Sequence, residues 1–114
     1  MIRPIAPHGG VLINQELHDE EKLEALDRAA GLKKLALTER EVCDLEMIAT
    51  GAMSPLTGFM KKDDYESVIT RMHLANRLPW TIPVTKQISD AERSSLRIGE
   101  EVALATTDGT VLAL

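Results

Sequence analysis

The chain has 114 residues, 44% hydrophobic and 27% charged, which fits one soluble globular domain with a real core and leaves no length for two. A formal net charge of -5, from 13 basic against 18 acidic residues, argues against nucleic acid or an anionic membrane as the main partner, since both demand clustered cations. The single cysteine, Cys43, excludes an intramolecular disulfide, MIRPIAPHGG lacks a signal-peptide run, and no stretch nears the roughly 18 apolar residues of a membrane span, so a cytoplasmic location is expected.

Residues 1–10 hold Pro4, Pro7, Gly9 and Gly10 and read as an irregular lead-in, followed by the apolar run VLI at 11–13. Asp19 is placed to cap a helix over EEKLEALDRAA, with Leu23, Leu26 and Ala30 at helical spacing and Gly31 as the stop. LKKLAL then alternates loosely as a short strand. TERE at 38–41 has the capping-box pattern, in which Thr38 accepts from the Glu41 amide and Glu41 reaches back. The helix it opens carries Val42, Leu45, Ile48 and Ala49 on one face and ends at Gly51. Asp63 or Asp64 is expected to cap a third helix with Tyr65, Val68, Ile69 and Met72 inward. WTIPVT at 80–85 reads as a strand, placed at an edge or bulge because Pro83 donates to no ladder. SDAE at 89–92 is a second capping box for a single turn, and the chain closes with strands at 101–106 and 110–114 around an Asp108-Gly109 turn. Helices lead and strands follow, which is an α+β arrangement of about three helices. The last strand stops on an apolar run at Leu114, which reads as the front part of a longer polypeptide.

GAMSPLTGFM at 51–60 is the least ordinary stretch, because it must bend sharply and bury large apolar residues together. Gly51 suits the left-handed position after a helix, Pro55 the second position of a turn starting at Ser54, and Gly58 a second reversal before Phe59 and Met60 turn inward. It contains no convincing acid, base or nucleophile. Its apolar excess around Met53, Leu56 and Phe59 marks a packing or domain-interface loop.

Elsewhere the chemistry is sparse. His8, His18 and His73 share no metal-ligand spacing and are expected at surface or cap positions. Cys43, beside Asp44, reads as a buried inert thiol. Glu20-Glu21 and Asp63-Asp64 are expected as helix N-terminal acids facing the dipole, and Lys33-Lys34 and Lys61-Lys62 as solvated pairs. PHGG at 7–10 offers amides to an anion but lacks the spacing of a phosphate loop.

LTEREVCDLEMIATGAMSPLTGFM, then KKDDYESV, then WTIPVT resembles the N-terminal region of ATP sulfurylase (sulfate adenylyltransferase), and the early PHGGVL resembles that family's opening. Members typically show Leu-Thr-x-Arg-x-x-Cys-Asp-x-Glu, Gly-x-Phe-Ser-Pro-Leu-x-Gly-Phe, Asp-Tyr-x-Ser-Val and Trp-x-Ile-Pro-x-Thr, and all four occur here in order across nearly all 114 residues. Met53 stands where Phe is usual, which keeps bulk, and ANRLP at 75–79 replaces the usual turn before the Trp. The resemblance implies a PUA-like mixed-strand pseudobarrel over residues 1–114. It also implies a parent activity that joins ATP and sulfate into adenosine 5′-phosphosulfate and pyrophosphate with magnesium on the ATP. The family's Gln-x-Arg-Asn-Pro and His-x-x-His motifs are absent, so its catalytic residues map onto no position here, and no cofactor, metal or catalytic residue is expected in this chain. The implied role is support of a C-terminal catalytic domain, with Gly51, Met53, Ser54, Pro55, Leu56, Gly58 and Phe59 as family-motif and interface residues, and a homo-oligomer as a possible assembly. The rival reading is a stand-alone PUA-like binding module for RNA or a protein partner. Low aromatic content (3%) and the acidic balance count against RNA.

Overall fold

The computed structural model describes residues 3–114. The elements run α1 (Asp19–Ala29), β1 (Lys34–Ala36), α2 (Glu39–Thr50), α3 (Lys62–Arg71), α4 (Asp90–Ser95), β2 (Ala103–Ala105) and β3 (Val111–Ala113). This is the expected α+β composition, with four helices among the described residues because the second capping box opens a true short helix. The chain divides into two compact units that it enters twice each. One holds residues up to Glu16 with Cys43–Lys86, and the other Leu17–Val42 with Gln87–Leu114.

The second of these units is built on a mixed sheet of order β1-β2-β3. β1 pairs parallel to β2, with Lys34 opposite Ala103 and Ala36 opposite Ala105, and β2 pairs antiparallel to β3 with a register shift at Leu104/Ala105. Leu35, Leu37, Ala103 and Ala105 are buried along it. The hairpin turns where expected: Gly109, at φ +91, donates to the Thr106 carbonyl, and the Asp108 carboxylate accepts from the Thr106 hydroxyl and the Thr110 amide. α1 departs from expectation. Its buried residue is Ala29, with Ala25 half-buried one turn earlier, while Leu23 is 68% exposed and Leu26 and Ala30 also face solvent. Two stripes satisfy the helical spacing in this segment, and spacing alone does not choose the alanine one. Nor does Asp19 cap the helix. It lies inside the span at φ 51, a left-handed value that Asp tolerates, and His18 occupies the cap position without a side-chain bond.

Both capping boxes form. The Thr38 hydroxyl accepts from the Glu41 amide at 3.2 Å while Glu41 Oε1 accepts from the Thr38 amide at 2.9 Å. Ser89 and Glu92 do the same for α4. Glu41 also does more than cap: it is buried, and its second oxygen accepts from the Gln87 amide at 2.9 Å, which ties the start of α2 to a segment forty-six residues onward.

The other unit has a core of Ile48, Leu56, Val68, Leu74 and Val84, against which Met53, Phe59, Met60, Leu78 and Trp80 pack. α2 supplies Leu45 and Ile48 as expected, with Ala49 half-buried beside them. α3 supplies only Val68 of its predicted face, and Tyr65, Ile69 and Met72 are exposed. Its inward side is spent instead on bracing the loop that follows. Asp64 accepts from the Ala75 amide at 2.8 Å, and the Ser67 hydroxyl bonds His73 Nδ1 at 3.1 Å. Neither Asp63 nor Asp64 caps α3, whose cap position is Lys61. Residues 80–85 form no strand: the Trp80 amide donates to Met72, the Val84 carbonyl accepts from Met60, and Pro83 has no N–H to continue a ladder.

Candidate functional site

α2 ends at Thr50 and Gly51 follows at φ +92. A Cβ there would lie 2.4 Å from the Ile13 carbonyl oxygen and 2.7 Å from Leu12 Cδ1, so the position demands glycine twice over, by dihedral and by space. The next turn runs from Met53 to Leu56, closed by the Leu56 amide on the Met53 carbonyl at 2.9 Å. That bond makes Pro55 the third position of a turn that starts at Met53, not the second position of one starting at Ser54, and the Ser54–Pro55 peptide is cis. Ser54 is buried and its hydroxyl is fully used, accepting from the Ile13 amide at 2.9 Å and donating to the Gly51 carbonyl at 2.7 Å. It is a brace with no acid–base partner. Leu56 enters the core, and Met53, Pro55, Gly58, Phe59 and Met60 remain half-buried. The second reversal falls at Gly58–Phe59 as a bend without a left-handed φ.

The lead-in packs onto this loop. Gly9, at φ +82, stands where an added Cβ would meet Leu78 Cδ1 at 3.1 Å and Pro55 at 3.2 Å. The Gly10 amide of the PHGG stretch donates to the Pro7 carbonyl at 2.9 Å, so that amide is spent within its own turn. His8 Nε2–H donates to the Pro79 carbonyl at 2.7 Å, and its ring lies 6.0 Å from that of Trp80. Trp80 in turn donates Nε1–H to the Ile82 carbonyl at 2.8 Å. Beside these residues opens a hollow of about 330 Å³ lined by Met53, Pro79, Trp80, Thr81, Ile82 and Val84. Five of its six side chains are apolar, Val84 forms a buried floor, and Ile82 is 63% exposed at the rim. The reading of WTIPVT as a strand missed this hollow. Its signal was nevertheless in the alternation of Trp80, Ile82 and Val84, which places those three together without a ladder.

The remaining candidates stay apart. His18 sits at the start of α1, His8 on the Pro79 loop, and His73 Nδ1 between the Ser67 hydroxyl and the Leu74 carbonyl. Among the described residues no three His, Cys, Asp or Glu side chains are grouped to hold a metal. Cys43 is exposed, which corrects the expected burial: the inward stripe of α2 runs through Leu45 and Ile48 and leaves position 43 outside. Glu20 and Glu21 lie in the first turn of α1, and Asp63 and Asp64 in that of α3. Lys33 is not merely solvated, since its ammonium meets Glu100 at 3.1 Å and the Ser95 carbonyl. The bond from the Arg97 amide, with Lys33 adding to it, holds the Glu100 carboxyl below its usual range, and the Thr106 hydroxyl with the Thr110 amide does the same for Asp108. Lys62 lies 3.9 Å from Glu66 on α3. Among the described residues no helix is long and apolar enough to cross a membrane.

The sequence pattern of the PUA-like domain matches residues 5–114, and the chain belongs to that family. It is 49% identical over all 114 residues to a sulfate adenylyltransferase of Symbiobacterium thermophilum, of which it covers 29%. It is 48% identical over 92% of its length to the sulfate adenylyltransferase of Trichodesmium erythraeum, covering 27%. A probable bifunctional SAT/APS kinase of Sorangium cellulosum is 44% identical over 96% of this chain, which covers 19% of that protein. The solved hexameric APS kinase from Thiobacillus denitrificans superposes with a TM-score of 0.86 and 34% identity over 96% of this chain and 22% of that one. The chain thus spans less than a third of the curated relatives it matches, and the match is to their N-terminal region.

Proposed function

We propose that residues 1–114 form the N-terminal, non-catalytic domain of a cytoplasmic sulfate adenylyltransferase, a domain that supports the region performing the chemistry. One observation carries this: the whole chain aligns, at 49% identity, with 29% of an enzyme of that name. On this reading Mg-ATP and sulfate are bound by the larger region that follows, and adenosine 5′-phosphosulfate and pyrophosphate are made there. The finer fold is the PUA-like pseudobarrel of the family, of which β1, β2 and β3 are the paired portion. The hexameric kinase relative supports an oligomeric parent.

The loop at 51–59 divides between two tasks. Gly51, Ser54 and Leu56 are internal bracing, because they are buried and fully bonded or packed. Met53, Pro55, Gly58 and Phe59 keep surface that serves as interface with the catalytic region. The described side chains support a non-catalytic role, since Ser54, the loop's one buried hydroxyl, has both its bonds made to backbone. The test is direct. The pure 114-residue chain, given Mg-ATP and sulfate, is expected to release no sulfate-dependent pyrophosphate, and detectable release would sink the proposal.

A further inference from the structure

We infer that the hollow beside Trp80, more than the GAMSPLTGFM loop itself, is the seat for an apolar segment of the polypeptide that follows this domain in the longer enzyme. The inference rests on the N-terminal-domain reading and deepens it by naming the surface and its occupant.

The loop supplies only part of that interface. Leu56 fills the core, Ser54 is braced on both sides, and Gly9 lies against Pro55, so its own chain already covers much of it. The adjacent segment 79–84 differs. Val84 is buried as a floor, Trp80 and Met53 are half-buried walls, and Ile82 stands 63% exposed at the edge of the same hollow. Its polar backbone is arranged so that the apolar faces stay clear: the Trp80 indole N–H is turned to the Ile82 carbonyl and the Pro79 carbonyl to His8. An apolar recess beside which the Trp80 indole and the Pro79 carbonyl already have their bonds is the form of a pocket that receives an apolar anchor. The occupant follows from length. The Symbiobacterium thermophilum relative, which aligns with the whole of this chain, is covered over only 29% of its length, and the match is N-terminal, so the covering material is available downstream in the same polypeptide.

The experiment grafts this chain in place of the matching 114 residues of the Symbiobacterium thermophilum enzyme and compares three forms: unaltered, Ile82→Asp, and Ile98→Asp as a control at a fully exposed position. The same substitutions are made in the 114-residue chain alone. An aspartate forced against an apolar seat loses a large part of the docking energy, so Ile82→Asp is expected to lower sulfate-dependent pyrophosphate release by about tenfold or more in the graft. It is expected to leave the melting temperature of the isolated chain unchanged, and Ile98→Asp is expected to do nothing in either. If the unaltered graft is active and Ile82→Asp matches it in activity and melting temperature, the hollow is not the seat, while the domain reading stands. Loss of stability on Ile82→Asp in the isolated chain assigns Ile82 to this domain's own packing and overturns the inference as well. An unaltered graft without activity overturns the domain reading, and the inference with it.

Discussion

At position 51 two constraints coincide that are usually separate. Gly51 adopts φ +92, and the space where a side chain would begin already belongs to Ile13 and Leu12. Gly51→Ala is therefore expected to cost at least about 2 kcal/mol, since left-handed strain adds to a clash with backbone that has no flexible end to move. Gly10 separates the two effects. It has a similar φ of +90 with nothing within 4 Å of an added Cβ, so Gly10→Ala should cost only about 1 kcal/mol. Urea unfolding of the two variants beside the parent chain checks the difference, and equal costs would mean that the Ile13 carbonyl yields. The glycine at 51 was legible as the end of a helix; its contact with the Ile13 carbonyl was not, because thirty-seven intervening residues hide it. Ser54 shows the same limit. Its type and its neighbours gave a turn, while its bond to the Ile13 amide belongs to tertiary structure alone.

Among the elements, those closed by local chemistry were readable and those chosen by packing were not. The Thr38–Glu41 and Ser89–Glu92 boxes need only a spacing of three, and both form. They are nevertheless unequal. Glu41 is buried and also holds the Gln87 amide, whereas Glu92 belongs to a six-residue helix with no buried residue. Glu41→Ala is expected to cost about 2 kcal/mol, from a lost cap plus the lost bond to the Gln87 amide. Glu92→Ala should cost under about 1 kcal/mol, read again by denaturant midpoints. A Glu41 effect as small as that of Glu92 would reduce its reach to Gln87 to a bystander. The helix faces failed for the complementary reason. α1 carries a leucine stripe and an alanine stripe, and burial took the alanines, while α3 uses Asp64 and Ser67 to hold a loop where apolar side chains were expected. WTIPVT carries the β-rich composition of a strand, but pairing needs a neighbour, and Pro83 withholds the donor one would require.

For the molecule as a whole, acid is the informative perturbation. Glu100 and Asp108 both have carboxyls held below their ordinary values of 4.5 and 3.8 in the folded chain. The stability they contribute is therefore complete above those ordinary values and disappears as pH falls through the lowered folded-state values. Because both groups are open to solvent, the effect is modest and screened by salt. Denaturant midpoints taken between neutrality and about pH 3 should fall, and Asp108→Asn should flatten part of that fall. The mixed sheet these residues flank has a consequence for how the protein is made. β1 must pair in parallel with β2, and Lys34 finds its partner only at Ala103, sixty-nine residues later. At cellular synthesis rates of roughly 5–20 residues per second, β1 leaves the ribosome and waits about 3–14 s for the strand that completes it. Through that interval the nascent chain presents LKKLAL as an unpaired edge, so the lysines at 33 and 34 serve first as guards against association with neighbouring chains and only afterwards as surface residues.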